Sequence, residues 1–324
     1  MAFSRQDTEC MALALKLSKK GRASVGANPM VGCVITRDGK IVAQDYHRQY
    51  GKSHAEVNAL DQIKHQGKGT KLYVTLEPCS HQGKTPPCTK ALIKAGVKNV
   101  VVAMLDPNPM VSGRGVKLLK DAGIEVDIGL LQSEAMELNR GFIKRMETGM
   151  PFVTTKIAMS LDGGTAMGSG ESQWITSDAA RLDVHKLRSN NQAIMTGSGT
   201  IINDNPKLTA RLNDSEPNPL RVIVDSGNMI TDHKLNIFSS EASTLVLNDG
   251  NARILPNGKI DLKLALIKLG EMGINNLLLE AGSGLNGAML EAGLIDEFII
   301  YTAPVILGSD TKPMIEIPLT KISE

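Results

Sequence analysis

Gly51-Lys52-Ser53-His54-Ala55-Glu56-Val57-Asn58-Ala59-Leu60 sets a histidine and a glutamate two positions apart, and Pro78-Cys79 and then Cys88 answer them further along the chain. One histidine and two cysteines supply three ligands suited to a zinc ion and leave its fourth position open to water, as a catalytic site requires. Glu56 is not needed as a ligand and is free to move protons. Ser53 is placed to cap a helix whose first turn holds His54 and Glu56. Residues two apart in mid-helix point about 200° away from each other. At a first turn facing a pocket, both can reach a common centre. A lone histidine at a helix start is ordinarily a cap or a surface residue; the matching Pro-Cys sets this one apart.

The chain around this stretch has 324 residues, too many for one ordinary core and suited to two domains. Its 36 basic and 34 acidic residues leave a net charge of +2 with no basic tail or block, which argues against nucleic acid as a partner. Aromatic residues, at 3%, offer few platforms for stacking unpaired bases. No apolar run reaches the roughly 18 residues of a membrane-spanning helix. Met1 to Asp7 has no apolar signal core, so a cytoplasmic protein is expected. Four cysteines are too few for a disulfide framework. Cys10 and Cys33 fall in helix and strand patterns and read as core residues, which leaves Cys79 and Cys88 for a metal.

Strands alternate with helices through the first half, which indicates an open sheet between layers of helices. Asp7 to Lys20 reads as a helix stopped by Gly21. Val31–Thr36 and Ile41–Asp45 read as strands turned at Asp38-Gly39. Strand Lys71–Leu76 delivers Glu77-Pro78-Cys79, and Cys88 opens a helix to Ala95. Strand Asn99–Ala103, helix Gly115–Ala122, strand Ile124–Ile128 and one helix over Ser133–Glu147 follow. Cysteines at helix starts sit at the positive end of the dipole, which favours the thiolate that zinc needs. Asn28, in Asn28-Pro29-Met30-Val31-Gly32, is either part of a plain loop or an amide offered to a flat heterocycle. H-x-E with P-C-x-x-C is the signature of zinc deaminases. Here the two cysteines are nine apart, and the loop between them, Ser80 to Pro87, holds His81, Lys84 and Thr85, a set able to hold a phosphate.

His54-Ala55-Glu56-Val57, Thr75-Leu76-Glu77-Pro78-Cys79-Ser80-His81 and Thr85-Pro86-Pro87-Cys88 closely resemble the deaminase half of the bifunctional deaminase–reductase family of riboflavin biosynthesis. The long cysteine loop separates the chain from cytidine, deoxycytidylate and tRNA-adenosine deaminases. Asp106-Pro107-Asn108-Pro109 and Gly113-Arg114-Gly115 also look like that family. The resemblance implies a cytidine-deaminase-like three-layer αβα domain over 1–149, zinc on His54, Cys79 and Cys88, and Glu56 as the catalytic residue. Zinc so held would bring the pKa of its water from about 15.7 toward about 7, with two thiolates moderating the shift. Glu56 would carry protons to the ring nitrogen and the leaving amine. The competing reading is a closed zinc knuckle with His81 as fourth ligand.

Thr148-Gly149-Met150-Pro151 breaks the chain, and strand Pro151–Met159 runs into the turn Ser160-Leu161-Asp162-Gly163-Gly164. Ser177 or Asp178 caps a helix from Ala179 to Arg188. Two glycine-rich turns open helices: Thr196-Gly197-Ser198-Gly199-Thr200 after strand Gln192–Met195, and Glu280 to Gly287 after strand Asn276–Leu279. Such turns cradle phosphates or are plain tight turns. Neither fits the Rossmann fingerprint, and two in one domain point to a dinucleotide bound in another way. Lys156–Gly163, Gly170–Thr176, Asp204–Arg211, Val224-Asp225-Ser226 and Glu280-Ala281-Gly282 resemble the reductase domain of the same family. That resemblance implies a dihydrofolate-reductase-like α/β domain over 150–324, expected to lack its last strands because the chain stops at Glu324. It implies NADPH contacts at Ala158, Trp174, Thr200, Asp204, Ser226, Gly282, Ser283, Gly284, Leu285, Asn286, Gly287 and Ala288. It implies substrate contacts at Ser172, Arg188, Leu208, Arg211 and Glu280. Chemically, Arg188 and Arg211 suit a bidentate clamp on a sugar phosphate. Trp174 packs on the cofactor or is a core aromatic.

The resemblance therefore implies two reactions on a small-molecule phosphoribosylaminopyrimidine. The first is zinc-dependent hydrolytic deamination of 2,5-diamino-6-(5-phosphoribosylamino)pyrimidin-4-one. The second is NADPH-dependent reduction of the ribosyl group to ribityl. A homo-oligomer, a symmetric dimer, is expected, with no nucleic acid or membrane. Two rivals stand beside this reading. A nucleic-acid-editing deaminase is opposed by the near-neutral charge, the few aromatics and the long cysteine loop. A non-catalytic zinc protein with a vestigial reductase-like domain is opposed by Glu56 beside an open zinc position.

Overall fold

Ser4 and Asp7 cap each other at the start of the first helix: the Ser4 hydroxyl accepts from the Asp7 N–H while the Asp7 carboxylate accepts from the Ser4 N–H. This capping box starts α1 (Arg5–Ser18) two residues ahead of the sequence expectation. The structure is a computed structural model, and it describes residues 3–108, 111–212 and 217–320. Pro109 of the Asp106–Pro109 motif and the chain end at Glu324 lie outside the described residues. Two compact units are present, Met1–Thr148 and Gly149–Glu324.

The first unit continues with β1 (Gly32–Arg37), β2 (Lys40–Tyr46), α2 (Ala55–Gln62), β3 (Thr70–Val74), α3 (Cys88–Ala95), β4 (Asn99–Val102), α4 (Arg114–Asp121), β5 (Glu125–Ile128), α5 (Gln132–Leu138) and α6 (Arg140–Thr148). Its sheet has the order β2-β1-β3-β4-β5; β1 is antiparallel to both neighbours, and β3, β4 and β5 are parallel. Successive strand residues point to opposite faces, and here both faces are covered. Cys33, Ile35, Leu72, Val74, Val100 and Val102 pack on one side against Ala59 and Leu60 of α2, Leu92 of α3 and Leu119 of α4. Val34, Tyr73 and Val101 pack on the other against Met11, Ala14 and Leu15 of α1, Ala135 of α5 and Ile143 of α6. Three layers result, and Cys10 and Cys33 are buried core residues.

The expected single helix over 133–147 is broken at Asn139. Its buried side chain accepts from Met30 N (2.8 Å) and donates to Met30 O (3.0 Å), and its backbone leaves the helical region at φ −111°, ψ 19°. A side chain that pairs with a distant backbone competes with the helix's own ladder. Periodicity does not register that partner.

The second unit contains β6 (Phe152–Ser160), β7 (Gly164–Met167), α7 (Asp178–Asn190), β8 (Ala193–Gly197), α8 (Ser198–Asp204), β9 (Leu220–Val224), β10 (Thr244–Leu247), α9 (Leu262–Glu271), β11 (Asn276–Leu279), α10 (Ser283–Glu291), β12 (Glu297–Ala303) and β13 (Thr311–Pro313). Ser177, rather than Asp178, caps α7 by accepting from Ala180 N. Six strands, in the order β10-β9-β8-β11-β6-β12, run parallel throughout. β13 pairs with β7 in a separate antiparallel ribbon. Val153, Met195, Val222 and Leu279 meet Leu266 and Leu269 of α9 on one face. Ile194, Ile223 and Leu278 meet Ile201 of α8 on the other. Arg221, fully buried on β9, donates to the carbonyls of Ile237 (2.7 Å), Ser239 (3.2 Å) and Ala242 (3.3 Å) and so fixes the loop that leads to β10. Open parallel sheets bind ligands at the carboxyl ends of their strands; here those ends deliver Ser160, Gly197, Asp225 and Glu280.

Gly32 lies against α1 so closely that a Cβ there would stand 1.9 Å from Ala14 O. Gly32→Ala forces backbone apart and is expected to cost about 1–3 kcal/mol, read as a lower urea midpoint.

Candidate active sites

His54 is the N-cap of α2, on extended backbone at φ −76°, ψ 169°, and makes no side-chain cap bond. Ser53 does not cap the helix as expected. Its carbonyl instead accepts from Asn58 Nδ2 (3.3 Å) and lies 3.2 Å from His47 Nδ1. Since His54 precedes the helix and Glu56 stands in its first turn, the mid-helix divergence of their directions does not apply, and both line one cavity. Cys88 is the first residue of α3. Cys79 lies in the loop after β3 rather than at a helix start, and its sulfur accepts from Cys88 N (3.2 Å). His54 Nδ1 lies 3.5 Å from Cys79 Sγ and 3.3 Å from Cys88 Sγ. The three ligand atoms fall within 4.8 Å of one another, the only such group among the described residues.

His81 lines the same cavity but does not join the group, so no four-ligand knuckle forms among the described residues. Two sulfurs and an imidazole nitrogen fit zinc with one position left open. Glu56 fits the neighbouring role, because its buried Oε2 has no hydrogen-bond partner. Burial pushes the Glu56 pKa up, His54 pulls it down and Cys79 raises it further, for a value of about 7. A carboxyl group near that value can both take and return a proton at neutral pH.

The cavity, about 290 Å³, is also lined by Asn28, His47, Lys84, Asp106 and Asn108. Asn28 Nδ2 lies 3.0 Å from His47 Nε2. An amide nitrogen can only donate, so His47 accepts at Nε2 and carries its proton on Nδ1, toward Ser53 O. Burial lowers the His47 pKa and keeps that ring neutral. Asn28 is thereby a cavity residue and not plain loop. Lys84 Nζ stands 4.1 Å from the centroid of the Tyr50 ring, a cation–π contact that holds the cysteine loop's lysine at the cavity wall. His47, Asp106 and Asn108 were not among the site residues expected from sequence; no spacing rule links them to the zinc motif.

In the second unit, buried Glu280 follows β11. It accepts from Arg188 Nε (2.6 Å) and Nη2 (2.9 Å), and Lys156 Nζ lies 3.4 Å away. Arg188 Nη1 donates to Thr209 O (3.2 Å). Three of the five Arg188 N–H groups are thus engaged inside the protein, so Glu280 takes its Nε/Nη2 edge and one N–H on each terminal nitrogen is left. Arg211, on left-handed backbone at φ 52°, is exposed. Leu208 is buried in the core beside Ile194 and Ile201. Trp174 is 69% exposed, which excludes the core reading, and the Arg181 guanidinium lies over its ring at 4.5 Å. Ser172 precedes it on the segment after the β7 ribbon.

Ala158 lies on β6, Thr200 and Asp204 lie on α8, and Gly282 to Ala288 span the N-cap and first turns of α10. No atom outside the adjoining chain lies within 4 Å of a Cβ built on Gly199 or Gly282, and Leu285 lies 3.8 Å from one built on Gly197. The two glycine turns thus adjoin, and both leave open space. Thr196 Oγ1, buried beside them, has no partner. Open backbone and an orphaned hydroxyl fit a nucleotide. Some expected contacts are engaged otherwise. The Asn286 side chain accepts from Thr155 Oγ1 (3.0 Å) and donates to Ala281 O (3.0 Å). Gly287 faces the chain itself, since a Cβ there would lie 2.0 Å from Glu316 O. Ser226 Oγ accepts from Ile260 N (3.2 Å).

Burial opposes ionisation of Glu280, but Lys156 and Arg188 outweigh it and bring the pKa from 4.5 down to about 2. A depressed carboxylate adds stability that is present above its unfolded pKa and lost as pH falls through its folded one. Unfolding free energy should therefore drop between about pH 5 and about pH 2. Glu280→Gln should lower stability at neutral pH and flatten that acid limb in denaturant titrations.

Residues 4–104 match the family "Cytidine and deoxycytidylate deaminase zinc-binding region", and residues 151–321 match "RibD C-terminal domain". The riboflavin biosynthesis protein RibD of Escherichia coli (strain K12) is 45% identical over 98% of this chain and 94% of that protein. The protein of the same name from Haemophilus influenzae is 44% identical over 100% of this chain and 93% of its own length. A solved structure of Acinetobacter baumannii RibD superposes with a TM-score of 0.90 at 42% identity, covering 99% of this chain and 93% of that one. A Thermotoga maritima structure, described as a diaminohydroxyphosphoribosylaminopyrimidine deaminase/5-amino-6-(5-phosphoribosylamino)uracil reductase, gives a TM-score of 0.89 at 35% identity over 98% and 92% of the two chains.

Proposed function

This chain belongs to the RibD family of riboflavin-biosynthesis enzymes, and from that premise we propose which of its residues carry each reaction. It is a bifunctional deaminase and reductase. Residues 1–149 form the deaminase domain and 150–324 the reductase domain. The substrate is 2,5-diamino-6-(5-phosphoribosylamino)pyrimidin-4-one, and the final product is 5-amino-6-(5-phosphoribitylamino)uracil. The observation that carries the deaminase reading is the His54–Cys79–Cys88 group beside a buried glutamate with an unpartnered oxygen.

His54, Cys79 and Cys88 hold the metal, and zinc bound there supplies the Lewis acidity that makes water a nucleophile near neutral pH. Glu56 takes the proton of the attacking water at Oε2, then returns protons to the ring nitrogen and the departing amine. His47 orients the Asn28 amide toward the flat heterocycle. Lys84, with His81 and Thr85, receives the sugar phosphate at the cavity mouth.

In the reductase domain NADPH supplies the hydride. Ala158, Trp174, Thr200, Asp204, Ser226 and the turn Gly282 to Ala288 bind it, with Asn286 and Gly287 contributing backbone. Ser172, Leu208 and Arg211 shape the substrate side. Arg188, held in place by Glu280, turns its remaining N–H groups to the substrate together with Arg211. The enzyme is a cytoplasmic homodimer that acts on a small molecule without nucleic acid or membrane; no helix among the described residues is long and apolar enough to cross one. Light scattering checks the dimer, and a monomeric mass rejects it.

Incubation with the diaminopyrimidine phosphate should yield a product one unit of mass heavier by exchange of NH for O, and adding NADPH should add two hydrogens. Absence of the second product with NADPH present would remove the reductase assignment. Glu56→Gln should keep about one zinc per chain and lose deamination by at least about a hundredfold, whereas Cys88→Ser should lower the zinc content itself. Surviving turnover in Glu56→Gln would reject its assignment as the proton carrier.

A further inference from the structure

Glu77 stands directly before Pro78-Cys79 but lies outside the metal-ligand group. Its carboxylate is buried, and backbone donors from the loop after β4 and from the first turn of α4 occupy both oxygens. Oε2 accepts from Asp106 N (3.1 Å) and Gly113 N (2.9 Å), and Oε1 from Gly115 N (2.8 Å) and Val116 N (3.1 Å). Four donors match the roughly four lone-pair sites of an ionised carboxylate, so the group acts as an acceptor on every side. The first turn of α4 is closed against the metal loop: a Cβ on Gly115 would lie 2.1 Å from Pro78 O.

Asp106 in turn accepts from Asn108 N (2.9 Å), which fixes the turn that carries both side chains. Asp106 and Asn108 line the cavity that also holds Glu56 and Cys79. A chain of contacts therefore runs from Glu77, through the backbone of Asp106, to two polar side chains at the cavity wall. Asp106 and Asn108 lie in the loop between β4 and α4, and Glu77 ties that loop to the first turn of α4.

We infer that Glu77 is a positioning residue of the deaminase site: by gathering the N–H groups of Asp106, Gly113, Gly115 and Val116 it sets where Asp106 and Asn108 meet the pyrimidine. The inference rests on the deaminase reading of the cavity. It assigns Glu77 a task separate from metal binding and from proton transfer. A glutamine at this position would turn an NH2 group toward two backbone donors, so two hydrogen bonds would be lost and replaced by repulsion. The loop would shift while Cys79 keeps its own bond from Cys88 N.

The test uses the full chain and three readouts on one preparation: zinc per chain, NADPH-dependent reduction of the already deaminated aminouracil phosphate, and kcat and KM for deamination. For Glu77→Gln, zinc should stay at about one per chain and reduction within about twofold of the parent. Deamination kcat/KM should fall by about 10- to 100-fold, as misplacement by about 1 Å does elsewhere. In a background of Asp106→Ala with Asn108→Ala, the effect of Glu77→Gln should shrink to under about twofold, since coupled residues are not additive. Glu77→Asp, which keeps the charge one methylene shorter, carries the same cycle should the glutamine variant fail to fold. Unchanged deamination, loss of zinc along with activity, or full additivity in that background each overturns the inference. Glu56→Gln, assayed in parallel, separates the two levels. If it is inactive while Glu77→Gln matches the parent, only the role of Glu77 fails; if the zinc-loaded parent itself does not deaminate the diaminopyrimidine phosphate, the deaminase reading fails and takes this inference with it.

Discussion

Three side chains from three different backbone settings must meet within a few ångströms, and the architecture of the first unit follows from that requirement. His54 comes from the cap of α2, Cys79 from the loop after a parallel strand, and Cys88 from the first turn of α3. Helix ends and strand ends converge because β1 and β3 are adjacent and both are buried on two faces. The layers hold the ends fixed without any of the ligands having to contribute to the core. Cys88 is the exception, being buried as well as part of the candidate metal group. Its position at the start of α3 joins burial to a helix dipole that favours the thiolate.

The reductase unit solves a different electrostatic problem. Glu280 is buried at the end of a central parallel strand, where an unpaired carboxylate would be strongly disfavoured. Arg188 from α7 and Lys156 from β6 converge on it. Such a cluster ties a helix to two strands at the sheet edge where ligands bind. The arrangement also commits one edge of the Arg188 guanidinium to Glu280. Arginine beside an expected phosphate is a fair first reading. Which carboxylate captures the guanidinium is decided by a helix and a strand end 92 residues apart in the chain.

Much of the first unit was legible in the sequence. The H-x-E and Pro-Cys pair with the nine-residue cysteine spacing carries its chemistry in residue type, and Glu56 needs only to be near the metal. Strands and helices alternate with clear periods, so the layered fold follows from local patterns. What escaped was set by long-range pairing. Asn139 ends a helix because Met30 lies beside it, and Ser53 yields the cap to His54 because its carbonyl is engaged by Asn58 and His47. Trp174, open in sequence between cofactor platform and core, proves exposed beneath Arg181.

By itself, then, the sequence determined the α/β class of both halves and the family, and it singled out His54, Cys79 and Cys88, which the fold brings together, with Glu56 in the same cavity. Those rest on residue chemistry at fixed short spacings and on hydrophobic period, which are properties of the chain. Tertiary structure alone decided that Glu77 gathers four backbone donors from the loop after β4 and the first turn of α4, that His47 sets the Asn28 amide, and that Arg188 pairs with Glu280. Hydrogen bonds between distant segments depend on which strands lie side by side, and buried polar groups must find partners wherever the fold brings them.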